Sequence, residues 1–156
     1  GARERMESFF NGSNYLKKIL HNLNTNDVIG LFDANRPFAP KNQLQALITI
    51  AKKNKLSCPA RTIVNGVAKI NKNKIIEVPL KEKFVNMITP EFVRYDLLNK
   101  FNNNLKKKEK SLVEYGFLEN IFAEYVDFNE LNSKLTYLED ISYFEFLINS
   151  YKIKYK

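Results

Sequence analysis

The sequence predicts a mainly α fold with a small antiparallel β-hairpin or meander near its middle (α+β), in the manner of a winged-helix-like domain followed by a C-terminal helical hairpin. Three observations predict it. Apolar residues recur at three- and four-residue spacing over most of the 156-residue chain, which is the period of an amphipathic helix. Between residues 60 and 79 that period is lost, and β-branched residues flank two turn signals, Asn65-Gly66 and Asn71–Lys74. The last third carries two apolar seams separated by the capping residues Asp127 and Asn129, as two helices packed back to back would.

Each element follows from its local spacing. Tyr15, Leu16, Ile19, Leu20 and Leu23 form a first helix capped by Ser13 or Asn14, with Phe9 and Phe10 stapled onto it. Thr25-Asn26-Asp27 caps a short apolar turn through Val28, Ile29, Leu31 and Phe32, and the prolines at 37 and 40 make residues 33–41 a loop. Leu44, Leu47, Ile48 and Ala51 define a helix over 42–53, with Lys52, Lys53 and Lys55 at the end where the helix dipole favours cations.

Residues 59–70 support two readings. As a helix they complete a helix-turn-helix with a wing; as strands they give Thr62–Val64, Val67–Ile70 and Ile75–Val78. Asn-Gly between β-branched residues favours the strands, because a glycine inside a helix costs about 1 kcal/mol. Phe84, Val85 and Ile88 then make a brief helix, and Phe92, Tyr95, Leu98, Phe101 and Leu105 a longer one that begins at Pro90. Leu112 to Tyr125 reads as a helix despite Gly116, and Leu131, Leu135, Leu138, Ile141, Phe144 and Ile148 as the last.

Length and composition fit one domain spanning 1–156, and the start at Gly1-Ala2 suggests a piece of a larger protein. No apolar run reaches the ~18 residues of a membrane span, and the single Cys58 rules out an internal disulfide. The expected location is therefore intracellular, nuclear or cytoplasmic. One His and one Cys, His21 and Cys58, cannot build a four-ligand zinc site. Glu77-Val78-Pro79 lacks the lysine that nucleases place after such a glutamate, and no glycine-rich phosphate loop occurs. The expectation is a protein that is not an enzyme and has no catalytic residue, metal, cofactor or evident small-molecule substrate.

Charge supplies the functional expectation. Residues 1–110 carry 21 Lys/Arg against 9 Asp/Glu, and residues 111–156 carry 4 against 8. A basic body (1–110) joined to an acidic, aromatic helical pair (111–156) suggests two binding surfaces. Lys52, Lys53, Lys55, Arg61, Asn65, Lys69, Lys72, Lys74, Lys106, Lys107 and Lys108 are the candidates for a nucleic-acid face, DNA ahead of RNA. Only five arginines offer the planar fork that phosphate recognition prefers: Arg3, Arg5, Arg36, Arg61 and Arg94. Phe117, Phe122, Tyr125, Tyr137, Tyr143 and Phe146 are the candidates for docking a protein partner or for self-association. The expected function is thus a nucleic-acid-binding and protein-docking domain of a replication, transcription or chromatin assembly. Its rival is a protein-only adaptor or oligomerisation domain whose lysines are solubilising.

Overall fold

The computed structural model describes residues 2–102, 110–128 and 132–151. Helix α1 (Arg5–Ile19) leads into strand β1 (Val28–Leu31), helix α2 (Lys41–Asn54) and strand β2 (Leu56–Thr62). A hairpin of β3 (Lys69–Asn71) and β4 (Lys74–Glu77) follows, then a short 3-10 turn at Lys81–Lys83, β5 (Val85–Met87) and β6 (Glu91–Arg94). Helices α3 (Tyr95–Asn102) and α4 (Leu112–Leu118), strand β7 (Glu124–Asp127) and helix α5 (Asp140–Tyr151) complete the order.

The winged-helix expectation is overturned by a central five-stranded sheet. Strand β2 is its middle. Ser57 pairs with Phe92 of β6 on one side and with Glu124 of β7 on the other, and Ala60 pairs likewise with Met87 of β5 and Asp127 of β7. Strand β1 adds to the free side of β6, antiparallel, whereas β7 runs parallel to β2. The chain is therefore mixed α/β, with a sheet that contains a parallel pair, and among the described residues β7 stands where a C-terminal helical hairpin was expected.

Helices cover both faces. Leu47 and Ala51 of α2 pack on Phe92 and Phe128, while Met6 and Phe10 of α1, Leu97, Leu98 and Phe101 of α3, and Leu112 and Tyr115 of α4 pack on Leu56 and Val93. Phe92 and Val93 are neighbours that enter opposite cores, as the two-residue period of a strand requires. Burial on both faces explains why Leu56, Ser57, Cys58, Pro59 and Ala60 are all inaccessible without any alternation. Ser57 lies inside the α2 layer and satisfies its hydroxyl by donating to the Leu47 carbonyl at 2.7 Å.

The other segments misread as helix are short. Val28–Leu31, residues 85–87, residues 91–94 and residues 124–127 are only three or four residues long, too short for spacing to separate strand from helix. Helix α1 starts eight residues before the predicted cap at Ser13, and it buries Met6, Phe10 and Ser13 while Tyr15, Ile19 and Leu20 stay exposed. The β3–β4 hairpin turns at Asn71–Lys74, with Lys72 at φ 51°, and not at Asn65-Gly66. Its residues 69–77 are all exposed.

Candidate active site

The loop after β1 carries Asp33, Asn35 and Arg36 to the ends of three other segments. Asp33 Oδ1 lies 3.0 Å from Arg5 Nε at the start of α1, and Asp33 Oδ2 accepts a hydrogen bond from the Thr89 hydroxyl at 2.8 Å. Arg36 Nε stands 3.7 Å from the same Oδ2. Thr89 precedes the cis peptide to Pro90 at the start of β6. Its carbonyl accepts from Asn132 Nδ2 at 2.7 Å, and the Asn132 carbonyl accepts from Arg36 Nη1 at 2.9 Å. Asn35 and Leu135 close the circle with a pair of 2.9 Å bonds that hold the loop against the 132–136 segment. A single carboxylate thus organises residues brought together from positions 5, 33, 36, 89 and 132.

Three cations converge here. Arg36 is crowded enough that burial lowers its pKa, with Asp33 opposing that shift and the guanidiniums of Arg61 and Arg5 adding to it. Glu91, at the start of β6, is the second carboxylate of the group, 3.6 Å from Arg5 Nη2, and burial raises its pKa. Arg5 and Arg36 therefore face the two carboxylates, and Arg61 of β2, near Arg36, makes the cluster net positive, as a phosphate dianion suits. Asn132 Oδ1 is buried without a hydrogen-bond partner among the described residues, and Arg36 Nε has only the 3.7 Å approach to Asp33.

Arg61 also forms one wall of an open cleft of about 420 Å³, together with Thr62, Asn65, Asn86, Asp127 and Phe128. Its Nε donates to the Phe128 carbonyl at 3.3 Å. The cleft offers amide, hydroxyl and carboxylate groups suited to the hydroxyls of a small polar molecule, next to the positive cluster. Cys58 takes no part as a nucleophile, because burial together with the nearby Glu91 pushes its thiol up to about 12.

The residues expected to bind nucleic acid are scattered over separate elements. Lys52 and Lys53 are exposed at the end of α2, and Lys55 holds its left-handed cap with Nζ 3.9 Å from Asp96. Lys69, Lys72 and Lys74 lie on the exposed hairpin, where Lys69 pairs with Glu77 at 3.2 Å. Lys106, Lys107 and Lys108 fall outside the described residues. Only Arg61, and Asn65 in the adjoining cleft, belong to the site. The six aromatic candidates are all exposed: Phe117 and Phe122 edge to face at 5.4 Å, Tyr125 on β7, Tyr137 before α5, and Tyr143 and Phe146 on α5. Sequence reading missed Asp33, Arg36, Thr89, Glu91 and Asn132 as a group. The available signal was the Asp33–Pro37 loop, polar and non-periodic, with two of the five arginines falling at Arg5 and Arg36.

Comparison with known proteins points away from a nucleic-acid-binding domain. The sequence model of the family described as IspD, 2-C-methyl-D-erythritol 4-phosphate cytidylyltransferase, matches residues 1–150. A 2-C-methyl-D-erythritol 4-phosphate cytidylyltransferase from Thermosipho africanus (strain TCF52B) is 25% identical over 148 residues, which are 90% of this chain and 62% of that protein. The chain therefore spans less than two thirds of that relative's length. Among solved structures, a 4-diphosphocytidyl-2C-methyl-D-erythritol synthase superposes with a TM-score of 0.81 at 19% identity, covering 95% of this chain and 69% of the other. The Francisella tularensis 2-C-methyl-D-erythritol 4-phosphate cytidylyltransferase superposes with a TM-score of 0.79 at 21% identity, covering 94% and 69%. These matches overturn the expectations of a DNA-binding domain, of a protein that is not an enzyme, and of partners limited to nucleic acid and protein. Among the described residues no helix is long and apolar enough to cross a membrane. By the match to its family model over nearly its whole length, the chain belongs to the 2-C-methyl-D-erythritol 4-phosphate cytidylyltransferase family.

Proposed function

We propose that this chain serves the transfer of a cytidylyl group from CTP to 2-C-methyl-D-erythritol 4-phosphate, and that the Arg5–Arg36–Arg61 cluster receives the phosphate of the acceptor. The family's name and the structural relatives' names supply the two substrates. In such a transfer a phosphate oxygen of the acceptor forms a bond to the α-phosphorus of CTP, the bond from that phosphorus to the β,γ-diphosphate breaks, and pyrophosphate leaves with the electron pair. Little of this chemistry needs a covalent partner from the protein. Its demands are alignment of two polyanions that repel each other, and fixed positive charge where charge builds up.

The chain's residues are arranged to meet those demands. Arg36 and Arg61 are the cations to neutralise the acceptor phosphate, and Asp33 keeps Arg5 and Arg36 on station through its two oxygens. Thr62, Asn65, Asn86 and Asp127 line the cleft that would take the hydroxyls of the erythritol carbons. The observation that supports the reading is the pairing of Arg5 and Arg36 with Asp33, with Arg61 close enough to act on the Arg36 charge. The role also favours a location inside the cell, where nucleoside triphosphates are available, and gives no support to a nuclear one.

Pyrophosphate release from CTP tests the proposal. Release that depends on added 2-C-methyl-D-erythritol 4-phosphate, and that falls at least about a hundredfold in Arg36→Ala, is the expected result. A folded chain that binds neither CTP nor 2-C-methyl-D-erythritol 4-phosphate would overturn it.

A further inference from the structure

We infer that Glu91 is a positioning residue, whose buried carboxylate ties Arg5 to the first turn of α4 and so sets where Arg5 stands beside Asp33. This deepens the phosphate-binding role proposed above and rests on it only for its effect on ligand affinity. Glu91 opens β6 with a side chain that is 6% exposed, and its two oxygens are used separately. Oε2 accepts the Val113 amide at 3.1 Å, while Oε1 lies 3.6 Å from Arg5 Nη2. Arg5 is then held through all three of its guanidinium nitrogens, because Nη1 donates to the Lys110 carbonyl at 3.1 Å and Nε pairs with Asp33 at 3.0 Å. Lys110 and Val113 flank the start of α4, so two of the three restraints trace back to that one turn.

The surroundings make the buried Glu91 charge a cost to stability. From α1 the carboxylate is faced by Arg5, from the loop after β1 by Asp33, from β2 by the Cys58 thiol, and from α4 by the amides of Leu112 and Val113. Burial is the largest influence and raises the Glu91 pKa above its ordinary 4.5, against the pull of the amides and of Arg5. A carboxylate raised in the folded state holds its proton to higher pH than in the unfolded state. Stability therefore falls as pH climbs from the ordinary value through the raised one, and the full cost of the buried charge is present above it. A neutral isostere removes that cost and removes the hold on Arg5 with it, so stability and binding move in opposite directions.

Glu91→Gln in the full chain tests this, with two readouts. The first is the Arg5 Nε–Hε resonance in nitrogen-15 NMR, assigned through Arg5→Lys. It is expected to shift in Glu91→Gln, and in the unsubstituted protein to follow a titration whose midpoint lies above 4.5. The second is calorimetric affinity for 2-C-methyl-D-erythritol 4-phosphate at about pH 8, expected to drop about tenfold while Tm holds or rises. Arg5→Lys should weaken binding to a similar degree, and the double variant should lose no more than either single one. An Arg5 resonance that ignores both the substitution and the pH overturns the inference. So does a Tm that falls together with affinity while the resonance stays in place. If the unsubstituted chain binds no 2-C-methyl-D-erythritol 4-phosphate, the proposed function fails instead, and the Arg5 resonance alone decides the role of Glu91. If Glu91→Gln does not fold, the pH titration of that resonance in the unsubstituted protein decides it.

Discussion

Asp33 does at the site what no single arginine can do. It accepts from Thr89 and pairs with Arg5 and Arg36, so that mutually repelling guanidiniums stay within reach of one anion. Asp33→Asn keeps the shape and removes the charge that offsets them. We expect it to weaken binding of 2-C-methyl-D-erythritol 4-phosphate by about tenfold or more in calorimetry, while Arg94→Lys, on the opposite end of β6, leaves affinity within about twofold. Arg94 serves structure: its Nε and Nη2 grip Asp96 at 2.8 and 2.6 Å, and that pairing holds the Asp96 carboxyl below its ordinary 3.8. A depressed carboxylate contributes stability above its unfolded pKa and loses it as pH falls through the folded value. Asp96→Asn should therefore lower Tm at neutral pH, and the gap to the unsubstituted protein should close as acid titration passes below 3.8. Residue chemistry was partly legible in the sequence, since the arginine fork and the loop at 33–41 were both visible. Their meeting was not, because Arg5 and Asn132 reach Asp33 and Arg36 only through the tertiary fold.

At the scale of elements, legibility was uneven. The long stripe of α2 appears where spacing places it, as Lys41–Asn54, and the Asn71–Lys74 turn is where its residues demand. Strand β2 was invisible, because Ser57, Cys58, Pro59 and Ala60 have little strand preference of their own and are held by neighbours on both sides and both faces. Gly116 shows how the same crowding explains an apparent flaw. It sits in α4, where a Cβ would come within 2.5 Å of Leu56 Cδ2 and 2.7 Å of the Ile121 carbonyl oxygen. The leucine can turn aside but the carbonyl belongs to the backbone. Gly116→Ala should cost about 1–3 kcal/mol in chemical denaturation, although alanine is the better helix former. An unchanged denaturation midpoint would show that the α4–β7 turn is looser than its contacts imply.

Across the whole molecule, the division of charge is real in the sequence but does not mark a nucleic-acid surface. The lysines that dominate it are spread over the end of α2 and the exposed hairpin, while the arginines near Asp33 and Glu91 form a small, partly neutralised set. Composition could suggest affinity for phosphate, and the proposed acceptor is a phosphate monoester. It could not report which cations share a site. A charge-driven contact of this kind should weaken with salt, so affinity for 2-C-methyl-D-erythritol 4-phosphate is expected to fall several-fold between about 0.05 and 0.5 M NaCl. The most direct measurement of the central claim is the phosphorus-31 resonance of 2-C-methyl-D-erythritol 4-phosphate titrated with the chain and with Arg36→Ala. A saturable shift with the unsubstituted protein that disappears in the variant is the predicted result; an equal shift with both, or none with either, contradicts it.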